Sequence, residues 1–269
     1  MEETYEVITE RIKNQSNSLH AMELRKKILQ GLLFAPLDVP NSEYVVITGC
    51  HGPFGLLHLS YLTNLFRHLG VSFTFLGEEE CCGNSYLKNV KKDDPADKVT
   101  MLEESAVRSI KQNITRAKEL GTNKIVTACA GCTTRYNHFL GDDDSLDFFY
   151  YPQILLKYID SPELPMAVNF YEACHKNHRT SKYNIDTESP KSLLERIRGL
   201  EIKEIPNFCC MTDKGIKNIF ERADTGTIVT PTSCCFSYLR RGSHKEKGPR
   251  IRTLTEVICE AMGVQNTIQ

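Results

Sequence analysis

Apolar and polar positions divide the chain into strands and helices that follow one another in a repeating order. YVVITGC, from Tyr44, is a short apolar run closed by Gly49-Cys50 and reads as a buried strand. FGLLHLSYLTNLFRHLG has apolar residues at helical spacing and a glycine stop at Gly70. VSFTFLG is a second strand, running into Cys81-Cys82-Gly83. The charged loop KKDDPADK leads to a long helix through SAVRSIKQNITRAKELG, and KIVTACAGC is a third strand ending in Cys129-Ala-Gly-Cys132. Strands alternating with helices predict a parallel sheet with helices on its faces.

The same order then recurs. AVNFYEAC is a strand ending at Cys174, and SPKSLLERIRGL is a helix with a Ser-Pro start. EIKEIPNFCC is a strand running into Cys209-Cys210, DKGIKNIFERADTG a helix, and TIVTPTSCC a strand ending at Cys234-Cys235. LTEVICEAMG is a last helix, with Cys259 at core spacing beside Leu254 and Met262. The irregular stretch around 137–165, with its acidic loop and prolines, marks the domain boundary. The chain therefore reads as an internal duplication: a helical extension over 1–43, one α/β domain over 44–150 and a second over 151–269. In the extension, Ala21, Leu24, Ile28, Leu29 and Leu32 form a helical stripe. It is expected to pack on the chain's own core, with a partner subunit as the other reading. Pro36 and Pro40 end that helix.

Composition narrows the functional classes. A net charge of −1 gives no electrostatic case for nucleic acid or an anionic membrane. No apolar run is long enough for a membrane span. The start, MEETYEVITERIKNQ, is too charged for a signal peptide, so a cytoplasmic location is expected. There is no GxGxxG or Walker motif to hold a nucleotide.

Cysteine is the outlier, with eleven. Vicinal cysteines rarely bridge each other, because a disulfide wants its Cα atoms about 4.4–6.8 Å apart and neighbours are only ~3.8 Å apart. Ten of the eleven fall at the carboxyl ends of the expected strands, where open α/β sheets bind ligands. Three chemistries compete. Zinc takes four ligands and leaves a thiol over. A thiol–disulfide exchanger built on Cys129-x-x-Cys132 leaves the vicinal pairs unexplained. An iron–sulfur cluster uses thiolates on every iron, and five thiols exceed what an ordinary cubane needs.

TGCHGPFG, ECCGNSY and ACAGCTTRY resemble the cysteine-rich CCG domain. With YEACHKNHR, NFCCMTD and TPTSCCFSYL they resemble the B subunit of heterodisulfide reductase over residues 44–260. The resemblance implies a non-cubane [4Fe-4S] cluster held by Cys50, Cys81, Cys82, Cys129 and Cys132. It implies a second held by Cys174, Cys209, Cys210 and one or both of Cys234 and Cys235. In that family the two clusters flank a substrate disulfide, and each sulfur is captured by an iron as an electron arrives. The implied function is an oxidoreductase subunit reducing or forming a small thiol or disulfide substrate. The alternative is an electron-transfer or assembly subunit with no substrate of its own.

Two departures affect the second site. Met211 follows the vicinal pair where the family has glycine, and Cys234-Cys235 replaces Cys-x-x-Cys. That site is expected to hold an altered cluster, zinc or nothing. The chain has no ferredoxin-type C-x₂-C-x₂-C run, so the implied partner is an electron-donor subunit carrying cubane clusters or a flavin. His51 and His175, each following the first cysteine of a repeat, are the candidate proton-relay residues, and a helix-start histidine bonded to a carbonyl is the plainer alternative. His178 and Arg179 are either an anion-receiving pair or a solvated face.

Overall fold

The structure is a computed structural model that describes residues 7, 22–50, 55–87, 90, 93–140, 145–172, 186–206, 208–266 and 268. The chain divides into two compact units, Met1–Pro53 with Ser72–Phe149, and Phe54–Val71 with Tyr150–Gln269. Each is built on a four-stranded parallel sheet wrapped by helices, the α/β architecture that the alternating pattern predicts.

In the first unit β1 (Tyr44–Ile47), β2 (Phe73–Phe75), β3 (Lys124–Thr127) and β4 (Asp147–Tyr150) lie in the order β2-β1-β3-β4. β1 runs parallel to both neighbours, with Val46 opposite Phe75 on one side and Val126 on the other. It is buried throughout, so its sequence is a continuous apolar run rather than an alternating one. The chain leaves β1 towards β2 and later returns on the β3 side. This reversal opens a crevice at the carboxyl ends of β1 and β3. The helices of this unit are α1 (Met22–Lys27), α3 (Asn84–Leu87), α4 (Ala96–Glu119) and α5 (Ala130–Leu140). α4 starts earlier than its most regular stretch suggests. It buries Leu102, Ala106, Ile110, Asn113, Ile114 and Ala117, a stripe at helical spacing.

The second unit repeats the order as β6-β5-β7-β8, from β5 (Glu163–Phe170), β6 (Arg198–Glu204), β7 (Thr227–Thr230) and β8 (Arg250–Thr253). Its helices are α6 (Tyr151–Tyr158), α7 (Glu188–Glu195), α8 (Asp213–Phe220), α9 (Ser233–Glu246) and α10 (Leu254–Ala261). α2 (Leu56–His68), which follows β1 in the chain and lies inside the 44–150 range, also packs here. It lies against α10, where His58 Nδ1 is 3.1 Å from Thr255 Oγ1 and the Cys259 thiol donates to the Tyr61 carbonyl. Cys259 is a core residue, and its thiol is pushed up to about 12 by burial and by Glu256.

Several elements depart from the sequence pattern. The stripe of the extension is rotated, with Leu24 and Leu32 exposed while Arg25, Leu29 and Leu33 are buried. The helix widens into a π-helical turn over Ile28–Leu32 that ends with Leu33 N–H on Ile28 O. The edge strands β4 and β8 and the helix α9 are not separable from loop in the sequence. β8, Arg-Ile-Arg-Thr, carries its own polar residue inward. Arg252 is buried because Glu256 accepts from its Nε at 2.9 Å and Glu260 also receives its guanidinium.

Candidate metal centre

Three loops, each leaving the carboxyl end of a strand, bring five thiols together in the first unit. Cys50 follows β1, Cys81 and Cys82 follow β2, and Cys129 and Cys132 straddle the start of α5 after β3. All five are buried. The sulfurs of Cys82 and Cys132 lie 3.2 Å apart. Cys50 is hydrogen-bonded to Cys81, and Cys132 to Cys129. Among the described residues no group of three or more histidine, cysteine, aspartate or glutamate side chains is placed to hold a single metal ion; the thiols meet in pairs instead, Cys50 with Cys81 and Cys132 with both Cys82 and Cys129.

The backbone that carries them is closely fitted. Gly49 has φ +76°, and a Cβ there would stand 3.0 Å from Cys129 Cβ and 3.1 Å from Cys132 Sγ. Only glycine lets the end of β1 pass over that pair. Asn113 clamps the loop before Cys81, accepting from Glu80 N–H and donating to Glu80 O, both at 2.8 Å. Its amide also donates to Tyr136 Oη at 2.9 Å, under a ring stacked on Phe148. Glu79 is buried and accepts from Thr48 N–H at 2.8 Å and Gly49 N–H at 2.7 Å, while Arg25 donates to it at 2.7 Å. Sequence reasoning uses Gly49 only as a strand end and does not single out Glu79, Arg25 or Asn113. A glycine ahead of the first cysteine is the one available signal, and Glu79 lies in an acidic run that reads as a solvated loop.

Electrostatics favour the protonated thiols. The hydrogen bond to Cys81 pushes Cys50 up, and burial adds to it. Cys132 is raised by its bonds to Cys129 and Cys82 and by burial. At Cys82 the Cys132 bond pulls the other way, but Cys81 and burial outweigh it. Like groups this close cannot all ionise alone, and a bound group rich in positive charge removes the penalty. Five convergent soft donors, over a cradle that one Cβ would fill, fit an iron–sulfur group.

The second unit repeats part of this arrangement. Cys210 and Cys235 meet at 3.3 Å between sulfurs, as Cys82 and Cys132 do. Cys132 is the third residue of α5 and Cys235 the third of α9. Thr232 therefore stands in the place of Cys129, buried, its hydroxyl 3.4 Å from that of Thr230. Cys234 takes the place of Gly131, where a Cβ in the first unit would stand 2.4 Å from Asn84 Nδ2. Cys209 is exposed although its counterpart Cys81 is buried. Gly83 has φ +81°, whereas Met211 has no left-handed backbone. Gly215 is fitted tightly here, since a Cβ on it would stand 1.9 Å from the Cys209 carbonyl oxygen. Cys174, His51, His175, His178 and Arg179 lie outside the described residues. A groove of about 530 Å³ on α4, lined by Thr100, Glu104, Arg108, Lys111 and Phe139 among others, includes none of the cysteines.

Residues 44–136 match the family of the CCG cysteine-rich domain, and this part of the chain is a CCG domain. The chain is homologous to the D subunit of dihydromethanophenazine:CoB–CoM heterodisulfide reductase. It is 22% identical to the Methanosarcina barkeri protein over 88% of this chain and 64% of that one. It is 26% identical to the Methanosarcina acetivorans protein over 87% and 63%. It is also 24% identical to an EtfAB:quinone oxidoreductase of Syntrophomonas wolfei, over 84% of this chain and 35% of that one. The chain thus spans less than two thirds of the length of these relatives. Among the described residues no helix is long and apolar enough to cross a membrane.

Proposed function

We propose that this chain is an iron–sulfur subunit of an oxidoreductase acting on a small thiol or disulfide, with its redox group held by Cys50, Cys81, Cys82, Cys129 and Cys132. The observation that carries the reading is the convergence of these five buried thiols, sealed by the 3.2 Å Cys82–Cys132 contact. Zinc would leave one thiol over, and an exchanger would leave three without a role. The likeness to the heterodisulfide reductase proteins of Methanosarcina supports the choice of iron–sulfur chemistry and of a sulfur substrate. A non-cubane [4Fe-4S] group with five thiolate ligands matches the donor count. When bound it supplies one-electron chemistry at iron sites that a substrate sulfur can approach.

The chain's own residues hold the ligand loops and exclude water. Cys132 is carried by the first turn of α5. His51 and His175 remain the proposed proton relay. Electrons are proposed to come from a partner subunit carrying cubane clusters or a flavin, and the compartment is proposed to be cytoplasmic.

One observation favours a second reading, an electron-transfer or assembly subunit. Buried Thr232 stands where Cys129 does in the first unit, so the second site, with Cys174, Cys209, Cys210, Cys234 and Cys235, is proposed to hold an altered cluster, zinc or nothing. The two readings separate in a single-turnover assay. Chain loaded with iron and sulfide under anaerobic conditions is reduced chemically, then mixed with a small disulfide. Thiol release that is lost in Cys132→Ala supports the first reading. Cluster reduction with no release of thiol above the Cys132→Ala level contradicts it.

A further inference from the structure

The carboxylate of Glu79 joins the two loops that carry three of the five thiols. It sits two residues before Cys81, and it accepts from the backbone N–H groups of Thr48 and Gly49, which lead directly to Cys50. It also accepts from the Thr48 hydroxyl at 2.9 Å. Its counter-charge comes from far away in sequence. Arg25, on α1, reaches it at 2.7 Å and donates at 2.5 Å to Leu76 O and 3.3 Å to Gly77 O, at the end of β2. Both side chains are almost fully buried, at 1% and 3% exposure. An ion pair so placed is weak evidence for stability alone, because desolvation consumes most of the attraction. It is strong evidence for geometric definition, because the carboxylate takes three donors from one loop and the guanidinium adds two carbonyls from the other.

We propose that Arg25 and Glu79 are the positioning pair of the first cysteine site: they fix the separation between the Cys50 loop and the Cys81-Cys82 loop, and they set the fixed charge beside the thiols. α1 is then part of the site rather than an appendage to it. The pair is linked to the remaining thiols through the backbone. Gly49, bonded to Glu79, is also the residue whose Cβ would touch Cys129 and Cys132. Removing either partner leaves one uncompensated buried charge, negative for Arg25→Met and positive for Glu79→Gln.

Two measurements on the full chain test this. The first uses metal-free protein and does not depend on the iron–sulfur reading. Alkylation of each cysteine is followed by peptide mass spectrometry in wild type, Glu79→Gln and Arg25→Met. Local loosening predicts that Cys50 and Cys81 react at least ~10-fold faster in both variants while Cys210 and Cys235 keep their wild-type rates. Unchanged rates at Cys50 and Cys81, or acceleration of all four thiols together, would overturn the positioning role. The second rests on the proposed reading and uses the reduction potential of the loaded site. Arg25→Met is expected to lower the potential and Glu79→Gln to raise it. Shifts of the same sign, or none, would overturn the charge-setting role. A wild-type chain that binds no iron would instead count against the function proposed above and leave the alkylation result standing.

Discussion

The sulfur of Cys82 lies 3.2 Å from that of Cys132, each reaching across from a different loop of the same sheet. Cys210 and Cys235 make the same contact at 3.3 Å in the second unit. In both cases the second thiol of a vicinal pair meets the third residue of the helix after the third strand. A neighbour pair poorly placed to bridge itself thus reaches outward, and its partner is supplied by the strand on the far side of the switch point. The sulfur contact thus recurs with the fold, and the second copy differs where Thr232 and Cys234 replace Cys129 and Gly131.

Two glycines are predicted to control the two sites separately. Gly49→Ala forces a side chain into left-handed backbone, at a cost of about 1–2 kcal/mol, and presses on Cys129 and Cys132. Gly215→Ala drives a Cβ into the Cys209 carbonyl, at a cost of about 1–3 kcal/mol. Metal analysis and thermal unfolding should show first-site metal lost in Gly49→Ala and kept in Gly215→Ala, with any metal of the second site showing the reverse.

Stability of the metal-free chain should fall as the solution is made alkaline. Cys50, Cys82, Cys132 and Cys259 all have thiols raised in the folded state, by neighbouring thiols and burial in the first three and by burial in Cys259. Their unfolded values are about 8.5, so the contribution is fully present below that pH. Above it the unfolded chain releases protons that the folded chain retains, and stability declines. Urea midpoints measured from pH 7 to 10 should be level at first and then drop. A midpoint that rises over the alkaline range would contradict the assignment.

Tyr151→Phe should weaken the second unit modestly. The Tyr151 hydroxyl donates to Pro231 O at 2.9 Å, and Tyr150 donates to the same carbonyl at 3.2 Å. These bonds hold the turn that leads into Thr232 and α9. Losing one leaves the other, so the expected cost is about 1 kcal/mol in urea unfolding. The double variant with Tyr150→Phe strands the buried carbonyl and should cost more than the sum of the single changes.

The legible parts of the chain are those where burial coincides with apolar sequence. β1, β3 and β7 are rich in Val and Ile, and the cysteines follow them closely, so both strands and site can be read together. β8 is illegible because its buried Arg252 depends on Glu256 and Glu260, a pairing no strand pattern contains. The inward face of α1 escapes the apolar pattern for the same reason: Arg25 is the residue that goes in, and its partners, Glu79 and the carbonyls of Leu76 and Gly77, are distant in sequence. The placement of α2 in the second unit cannot be read either, since its apolar stripe fits any apolar surface. The loss of the Cys129 equivalent is visible as a spacing change, and the matching helix positions of Cys132 and Cys235 identify which ligand is gone.

The most direct test of the central claim is iron and acid-labile sulfide per chain after anaerobic purification, in wild type, Cys132→Ala and Cys235→Ala. The account predicts about four irons with matching sulfide at the first site. That iron should be lost in Cys132→Ala and kept in Cys235→Ala, with any metal of the second site showing the reverse dependence. A wild-type chain with no iron, or with iron that survives Cys132→Ala unchanged, would contradict it.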